Sequence, residues 1–282
     1  GMTIENIAAA CEGTFVGDRD LVTKEIAGAV TDSRQVQKDY LFIPIKGARV
    51  DGHDFIPQVF EKGALVVLSD HALPEETEPY ILVSSTTEAM KKIAAFYRTQ
   101  LSCKVVGITG SVGKTSTKEM IASVLEQRYK VLKTEGNFNN EIGLPLTIFK
   151  IRAKHEVAVL EMGISDFGEM HRLAAMAQPD IGVITNIGLC HLENLGTRDG
   201  ILQAKTEMFD HLQIDGTVIL NGDDDKLSTK KEVNGKPVIF YGVGADSAFD
   251  IKKDIYATDI ENHGLEGMRA KIHTPQGDFD AQ

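Results

Sequence analysis

Apolar and polar positions follow two different patterns along the chain. From Cys103 onward, short and nearly continuous runs of Val, Ile and Leu recur: KVVGIT, KVLKT, VAVLEMG, IGVITNIG and TVILNG. The stretches between them carry apolar residues at helical spacing, with helices expected from about Thr115 to Arg128, through Met170 to Met176, and from about Ile201 to Leu212. Strands that are apolar on both faces and separated by helices predict a mostly parallel sheet covered on both sides. Strand-like DIYATDI and LEGMRAKIH, then the turn TPQG before DFDAQ, read as a further hairpin. Before Cys103 the pattern is that of a smaller mixed unit. A helix is predicted from Thr3 to Glu12, strands around Ile26 to Thr31 and at Tyr40 to Ile45, a helix from Asp54 to Lys62, and strands at Ala64 to Leu68 and Tyr80 to Val83. The helical TTEAMKKIAAFYRTQL after Ser85 leads into the second pattern. The chain is therefore expected to be α/β, with a small mixed N-terminal domain over residues 1–84 and a second domain over residues 85–282.

Charge and cysteine usage narrow what such a chain can bind. A net charge of −11 argues against nucleic acid, whose backbone needs a basic face. Any anionic ligand must then be held by helix N-termini, individual basic residues and metal ions. No apolar run approaches the ~20 residues that span a bilayer, and TIENIAAACEG lacks the basic start and long apolar core of a signal peptide. Cys11, Cys103 and Cys190 have no C-x-x-C spacing, which suits reduced thiols better than disulfides or zinc. A cytoplasmic protein is expected.

The stretch GITGSVGKTST, residues 107 to 117, carries the most specific chemistry. It follows the buried strand KVVGIT and opens the helix TSTKEMIASVLEQR, with Met120, Ile121, Val124 and Leu125 expected on one face. Ser116 and Glu119 have the spacing of a capping box. Glycines at a strand-to-helix turn let backbone N–H groups and the helix dipole converge on an anion. Lys114 would reach the β and γ phosphates of a nucleotide, and the Thr115 hydroxyl would ligate Mg²⁺. Ile108 stands where the common phosphate loop has its first glycine. The second domain is thus expected to be a P-loop ATPase-type sheet.

With its flanks, the stretch resembles the Mur ligases, the ATP-dependent amide-forming enzymes of peptidoglycan precursor synthesis. Their phosphate loop reads T-G-[ST]-x-G-K-[ST], and Thr109 to Thr115 matches each fixed position, so Ile108 is a family trait. Together with TEGNFNNEIGLPLT, VLEMG, PDIGVITNIGLCHLENLG and AKTEMF, it is most similar to the member that joins D-alanyl-D-alanine to UDP-N-acetylmuramoyl-tripeptide. The resemblance implies that ATP phosphorylates the terminal carboxylate of the tripeptide and that the dipeptide amine attacks the acyl phosphate. It implies ATP contacts from Gly110, Ser111, Val112, Gly113, Lys114, Thr115, Ser116, Asn137 and Asn221, and Mg²⁺ ligands from Thr115, Glu161, His191 and a carbamylated Lys205. It also implies catalytic roles for Lys114, His191 and Lys205. Asn139 and Asn140 would lie beside the acceptor. In the first domain, Ser33, Arg34, Lys46, Asp51 and His53 resemble a uridine-nucleotide-binding segment.

Other roles stay open for single residues: turn-forming asparagines, a structural His191, a solvated acidic turn at NGDDD, and an exposed helical Lys205 paired with Glu207. Thr206 departs from the glycine common in the family. For the whole chain the alternatives are the sister ligase that adds the third peptide residue, folylpolyglutamate synthase, and a non-catalytic nucleotide-binding module. The family adds a Rossmann-like third domain after this region, so the chain is expected to be a truncated monomer that binds the UDP-sugar peptide and, weakly, ATP without completing ligation.

Overall fold

The computed structural model describes residues 1–188 and 195–282. In chain order the first elements are α1 (Ile4–Ala10), β1 (Thr14–Val16), β2 (Gly28–Val30), β3 (Tyr40–Phe42), α2 (Ile56–Glu61), β4 (Val66–Ser69), β5 (Tyr80–Leu82) and α3 (Thr86–Thr99). Next come β6 (Lys104–Thr109), α4 (Lys114–Glu126), β7 (Val131–Lys133), α5 (Gly143–Ile148), β8 (Val157–Glu161), α6 (Glu169–Ala177), β9 (Ile181–Ile184) and α7 (Arg198–Thr206). The chain continues through β10 (Thr217–Asn221), β11 (Glu232–Val233), β12 (Lys236–Val243), β13 (Ile255–Asn262), β14 (Met268–Thr274) and β15 (Gly277–Ala281). Among the described residues no helix is long and apolar enough to cross a membrane.

Two compact units form. One comprises Gly1–Ser102 and Glu135–Ala153, the other Cys103–Thr134 and Lys154–Gln282. Packing therefore places residues 85–102 with the first unit, where α3 lies against α1 and α5. That unit is built on a five-stranded sheet in the order β1-β5-β4-β3-β2, parallel except for β1. Ser85 caps α3 by accepting from the Glu88 N–H, and Thr3 caps α1 in the same way from Asn6. The helix expected from Asp54 is in part a 3-10 turn, Gly52–Phe55, which Asp51 caps before α2 begins. Helix α5 escaped the sequence pattern because Pro145 stands in it. Pro145 falls in the first turn, where its missing N–H removes no intrahelical bond.

The second unit has the expected doubly wound arrangement. Its sheet runs β15-β14-β13-β12-β10-β9-β6-β8-β7, with β11 paired beside β12, and is parallel from β7 to β13. From β6 the chain goes out to the edge strand β7, returns to β8 beside β6, then crosses to β9 on the other side of β6. The carboxyl ends of β6 and β9 therefore flank the point where the winding reverses, where open α/β sheets bind ligands. Val106, Ile108, Val157, Val159 and Val183 pack with Ala122 of α4 in one apolar cluster. Ile121 and Leu125 join it, whereas Met120 and Val124 are exposed, contrary to the expected helix face. The buried stripe is Lys118, Ile121, Ala122 and Leu125, spaced as one side of a helix. Strand β12 was not anticipated, although Asn234 and Gly235 before it, both at positive φ, form the tight turn of the β11–β12 hairpin.

Helix α7 stops at Thr206 and a 3-10 turn, Glu207–His211, replaces its expected last turns. That turn packs against α6, which brings His211 Nε2 to 3.0 Å from His171 Nδ1. Burial, then the neighbouring His171, hold the His211 pKa below its ordinary value. Below about pH 6.5 the unfolded chain therefore takes up a proton that the folded chain resists, so stability present above that pH is lost as the pH falls. His211→Gln is expected to reduce the drop in Tm between pH 7.5 and pH 5.5 by about 2 °C, read by circular dichroism melting.

Candidate active site

The phosphate loop is held by the end of β9 rather than by its own turn. Asn186 Oδ1 accepts from the N–H groups of Ser111 and Val112 at 2.9 and 3.0 Å. Its Nδ2 donates to the Val112 carbonyl at 2.7 Å, and Thr185 Oγ1 donates to the same carbonyl at 3.1 Å. Gly188 N–H reaches Ser111 Oγ at 2.8 Å. The approach of Thr185 needs glycine at 110, because a Cβ there would lie 1.8 Å from Thr185 Oγ1. Gly113 then takes φ 78° and α4 starts directly at Lys114. No side chain caps it. The expected capping box does not form: Ser116 lies inside the first turn, and Glu119 pairs with Lys133 at 2.6 Å and Lys118 at 3.2 Å. A left-handed glycine at the cap turns the first-turn N–H groups and the positive end of the helix outward beside Lys114.

At the end of β8, Glu161 is 1% exposed and its Oε1 accepts from Thr115 Oγ1 at 3.0 Å. Register pairs Glu161 with Ile108 of β6, which sets the carboxylate beside the start of α4. Hydroxyl and carboxylate oxygens brought together next to a phosphate loop are the donors that Mg²⁺ prefers, so these residues fit the ion. Lys205 is buried at 2% exposure in the last turn of α7, which removes the reading of an exposed helical lysine. His191 lies outside the described residues.

The acidic NGDDD turn is a set of braces. Asn221 Nδ2 donates to the Thr185 carbonyl at 2.9 Å and its Oδ1 accepts from Asp223 N–H at 2.9 Å. Asp223 accepts from Val243 N–H and pairs with the buried Lys253. Asp224 accepts from Ile187 N–H at 2.8 Å. Arg198 bonds both Asp225 and the Ile187 carbonyl, and its guanidinium holds the Asp225 carboxyl below the usual carboxylate range. Asn221 and Asp224 thus hold the segment that holds the phosphate loop.

In the first unit, the residues with expected substrate roles follow β2 and β3. Arg34 is exposed and its guanidinium bonds the Asp32 carboxylate, while the Ser33 carbonyl accepts from Lys62. Lys46 and Asp51 pair through their backbones and close a loop that also exposes Arg49. Asp51 accepts from the His53 N–H at 3.0 Å and faces His53 Nδ1 at 2.6 Å, contacts that lower its pKa. His53 is buried, with Nε2 accepting from Asp70 N–H. In the EGNFNNEIG loop, Asn137 is exposed, Asn139 N–H bonds the Asn137 carbonyl, and Asn140 Oδ1 accepts from Ile142 and Gly143 at the start of α5.

Residues 108–281 match the Mur ligase middle domain, and residues 25–98 match the catalytic domain of the Mur ligase family. The chain is 43% identical over 275 residues to UDP-N-acetylmuramoyl-tripeptide–D-alanyl-D-alanine ligase of Bacillus subtilis, covering 97% of this chain and 59% of the relative. A crystal structure of MurF from Acinetobacter baumannii superposes with a TM-score of 0.85 at 33% identity, over 99% of this chain and 60% of that one. The chain belongs to the Mur ligase family, and to its MurF type. A MurF ligase from Thermotoga maritima in complex with ADP is also similar, with a TM-score of 0.75 at 31% identity over 90% of this chain and 57% of that chain.

Within this Mur ligase chain, the structure brings the phosphate loop, Glu161 and Asn221 together in the second unit. Sequence reasoning passed over Asn186 as a bracing residue, along with Lys118 and Arg198. For Lys118 a signal existed: a lysine stands on the apolar stripe of α4, four residues after Lys114. For Asn186 none did, since an asparagine after a strand reads as a turn. Asn186→Asp removes the Nδ2 donor and sets a carboxylate against the Val112 carbonyl. ADP binding, followed by calorimetry, is expected to weaken about 10- to 100-fold, for a lost hydrogen bond plus a misplaced charge worth about 1.5–3 kcal/mol.

Proposed function

We propose that the chain forms the UDP-sugar-binding and ATP-binding parts of a cytoplasmic ligase that joins D-alanyl-D-alanine to UDP-N-acetylmuramoyl-tripeptide. The observation that carries the reading is the hydrogen bond from Thr115, at the uncapped start of α4, to the buried Glu161. It joins a phosphate-binding backbone to a metal-binding carboxylate in one place. The similarity to UDP-N-acetylmuramoyl-tripeptide–D-alanyl-D-alanine ligase over nearly the whole chain supports the substrate assignment.

In this reading, the first-turn N–H groups of α4 and the Lys114 ammonium hold the β and γ phosphates and take up charge that develops as the γ-phosphoryl group leaves. Thr115 and Glu161, with His191 and Lys205, would hold Mg²⁺, which neutralises phosphate charge when bound. Lys205 would do so as a carbamate, because a buried ammonium would repel the ion. Arg34, Lys46, Asp51 and His53, with Ser33, would hold the uridine diphosphate. Asn137, Asn139 and Asn140 would line the nucleotide and acceptor side. Phosphorylation converts the tripeptide carboxylate, a poor electrophile, into an acyl phosphate, and attack by the dipeptide amine expels phosphate and forms the amide.

Lys114→Ala is expected to weaken ADP binding about 10- to 100-fold without lowering Tm, because it removes a charge-assisted contact worth about 1.5–3 kcal/mol and no core contact. Unchanged affinity by calorimetry would overturn the phosphate-loop reading. In the intact enzyme, Lys205→Ala is expected to lose ligation activity that added short carboxylic acids partly restore. Full activity without added acid would remove the carbamate. Supplying D-alanyl-D-alanine against diaminopimelate or lysine as acceptor separates this ligase from the sister enzyme that adds the third residue.

A further inference from the structure

Lys118 has no part in the phosphate contacts above, yet it is 1% exposed and among the largest fully buried side chains. Its Nζ donates to the Thr134 carbonyl at 2.6 Å. It lies 3.2 Å from Glu119 Oε1 and 3.7 Å from Glu161 Oε2. Thr134 contributes twice, because its hydroxyl accepts from the Glu161 N–H at 2.9 Å. The residue that anchors the ammonium therefore also anchors the backbone of the carboxylate.

The two oxygens of Glu161 face different residues of one helix. Oε1 faces Thr115 and Oε2 faces Lys118, one turn further along α4. Residues three apart on a helix share a face, so a single rigid element sets both contacts. Packing alone does not call for this lysine. Its neighbours on the buried stripe are Ile121, Ala122 and Leu125, and a buried ammonium carries a desolvation cost that an apolar side chain avoids. Nor does it duplicate Lys114, since its head is fixed on the Thr134 carbonyl inside the unit.

We propose that Lys118 is a positioning residue, an internal cation that holds Glu161 Oε2 so that Oε1 and Thr115 Oγ1 stay turned together toward the phosphate loop as a preformed pair of ligands for a divalent cation. The inference rests on the reading of Thr115 and Glu161 as cation ligands. Without the ammonium, Oε2 loses the cation that faces it, and the pair is less firmly set before the ion binds. Glu119, shared between Lys118 and Lys133, fixes the same ammonium from the outer side.

The test titrates Mg²⁺ against binding of the non-hydrolysable ATP analogue AMP-PNP by calorimetry, in the wild-type chain, Lys118→Met and Lys118→Arg. Lys118→Gln, which keeps a donor for the Thr134 carbonyl, replaces Lys118→Met if that variant does not fold. The expected result is a half-saturating Mg²⁺ concentration at least tenfold higher in the neutral variants, with partial recovery in Lys118→Arg. A lower Mg²⁺ requirement would mean that Lys118 only competes with the ion, and a reduced Tm with an unchanged requirement would mean that it only supports packing. Either result overturns the proposal. Nucleotide binding in the wild type that does not respond to Mg²⁺ would overturn the reading of Thr115 and Glu161, and the proposal with it.

Discussion

A phosphate loop must hold its backbone in shape before any phosphate arrives, and in this chain the carboxamide of Asn186 meets that constraint by taking up the Ser111 and Val112 N–H groups. It satisfies two donors and one acceptor of the loop at once. Backbone groups left unpaired are costly, so such a partner favours one conformation of a loop of small residues. The brace also explains why the glycines are distributed as they are. Gly110 admits Thr185, and Gly113 turns the chain into α4. Behind Asn186 stand Asn221 and Asp224, which connect β10 to the same segment, so the acidic turn supports the nucleotide site from one layer back.

The same economy of charge runs through the rest of the second unit. An acidic chain has no broad basic surface, and here the cations are placed one at a time. Lys114 is placed at the start of α4, where it adds to the helix dipole. Lys118 and Lys253 are buried and each is bound by backbone carbonyls and carboxylates. Arg198 ties α7 to the β9 segment through a carbonyl and Asp225. Buried ion pairs of this kind add little net stability over an apolar core, but removing one partner is expensive. They hold geometry more than they hold the fold together.

Strand and helix assignments in the second unit were legible because parallel strands buried on both faces are written as unbroken apolar runs, and KVVGIT became β6 residue for residue. The phosphate loop was legible for a different reason: its chemistry depends on neighbours in sequence, glycines followed by lysine and threonine. Errors arose where a residue type has two uses. Ser116 and Glu119 have capping-box spacing, but a left-handed Gly113 had already started the helix. Met120 and Val124 are apolar yet exposed, while Lys118 is charged yet buried. Helix α5 was not anticipated, and its Pro145 sits in the first turn.

What the sequence alone determined is therefore local or periodic: the α/β class, the order of most elements, the phosphate loop and the set of motifs that mark a Mur ligase. The interleaving of residues 135–153 with the first unit, the role of Asn186, the conversion of NGDDD from an exposed turn into a brace, and the meeting of Thr115 with Glu161 were decided only by tertiary structure. The reason is physical. These interactions join residues tens of positions apart through the register of β6 against β8 and β9. That register is set by packing of the whole sheet and leaves no mark in the spacing of neighbours along the chain.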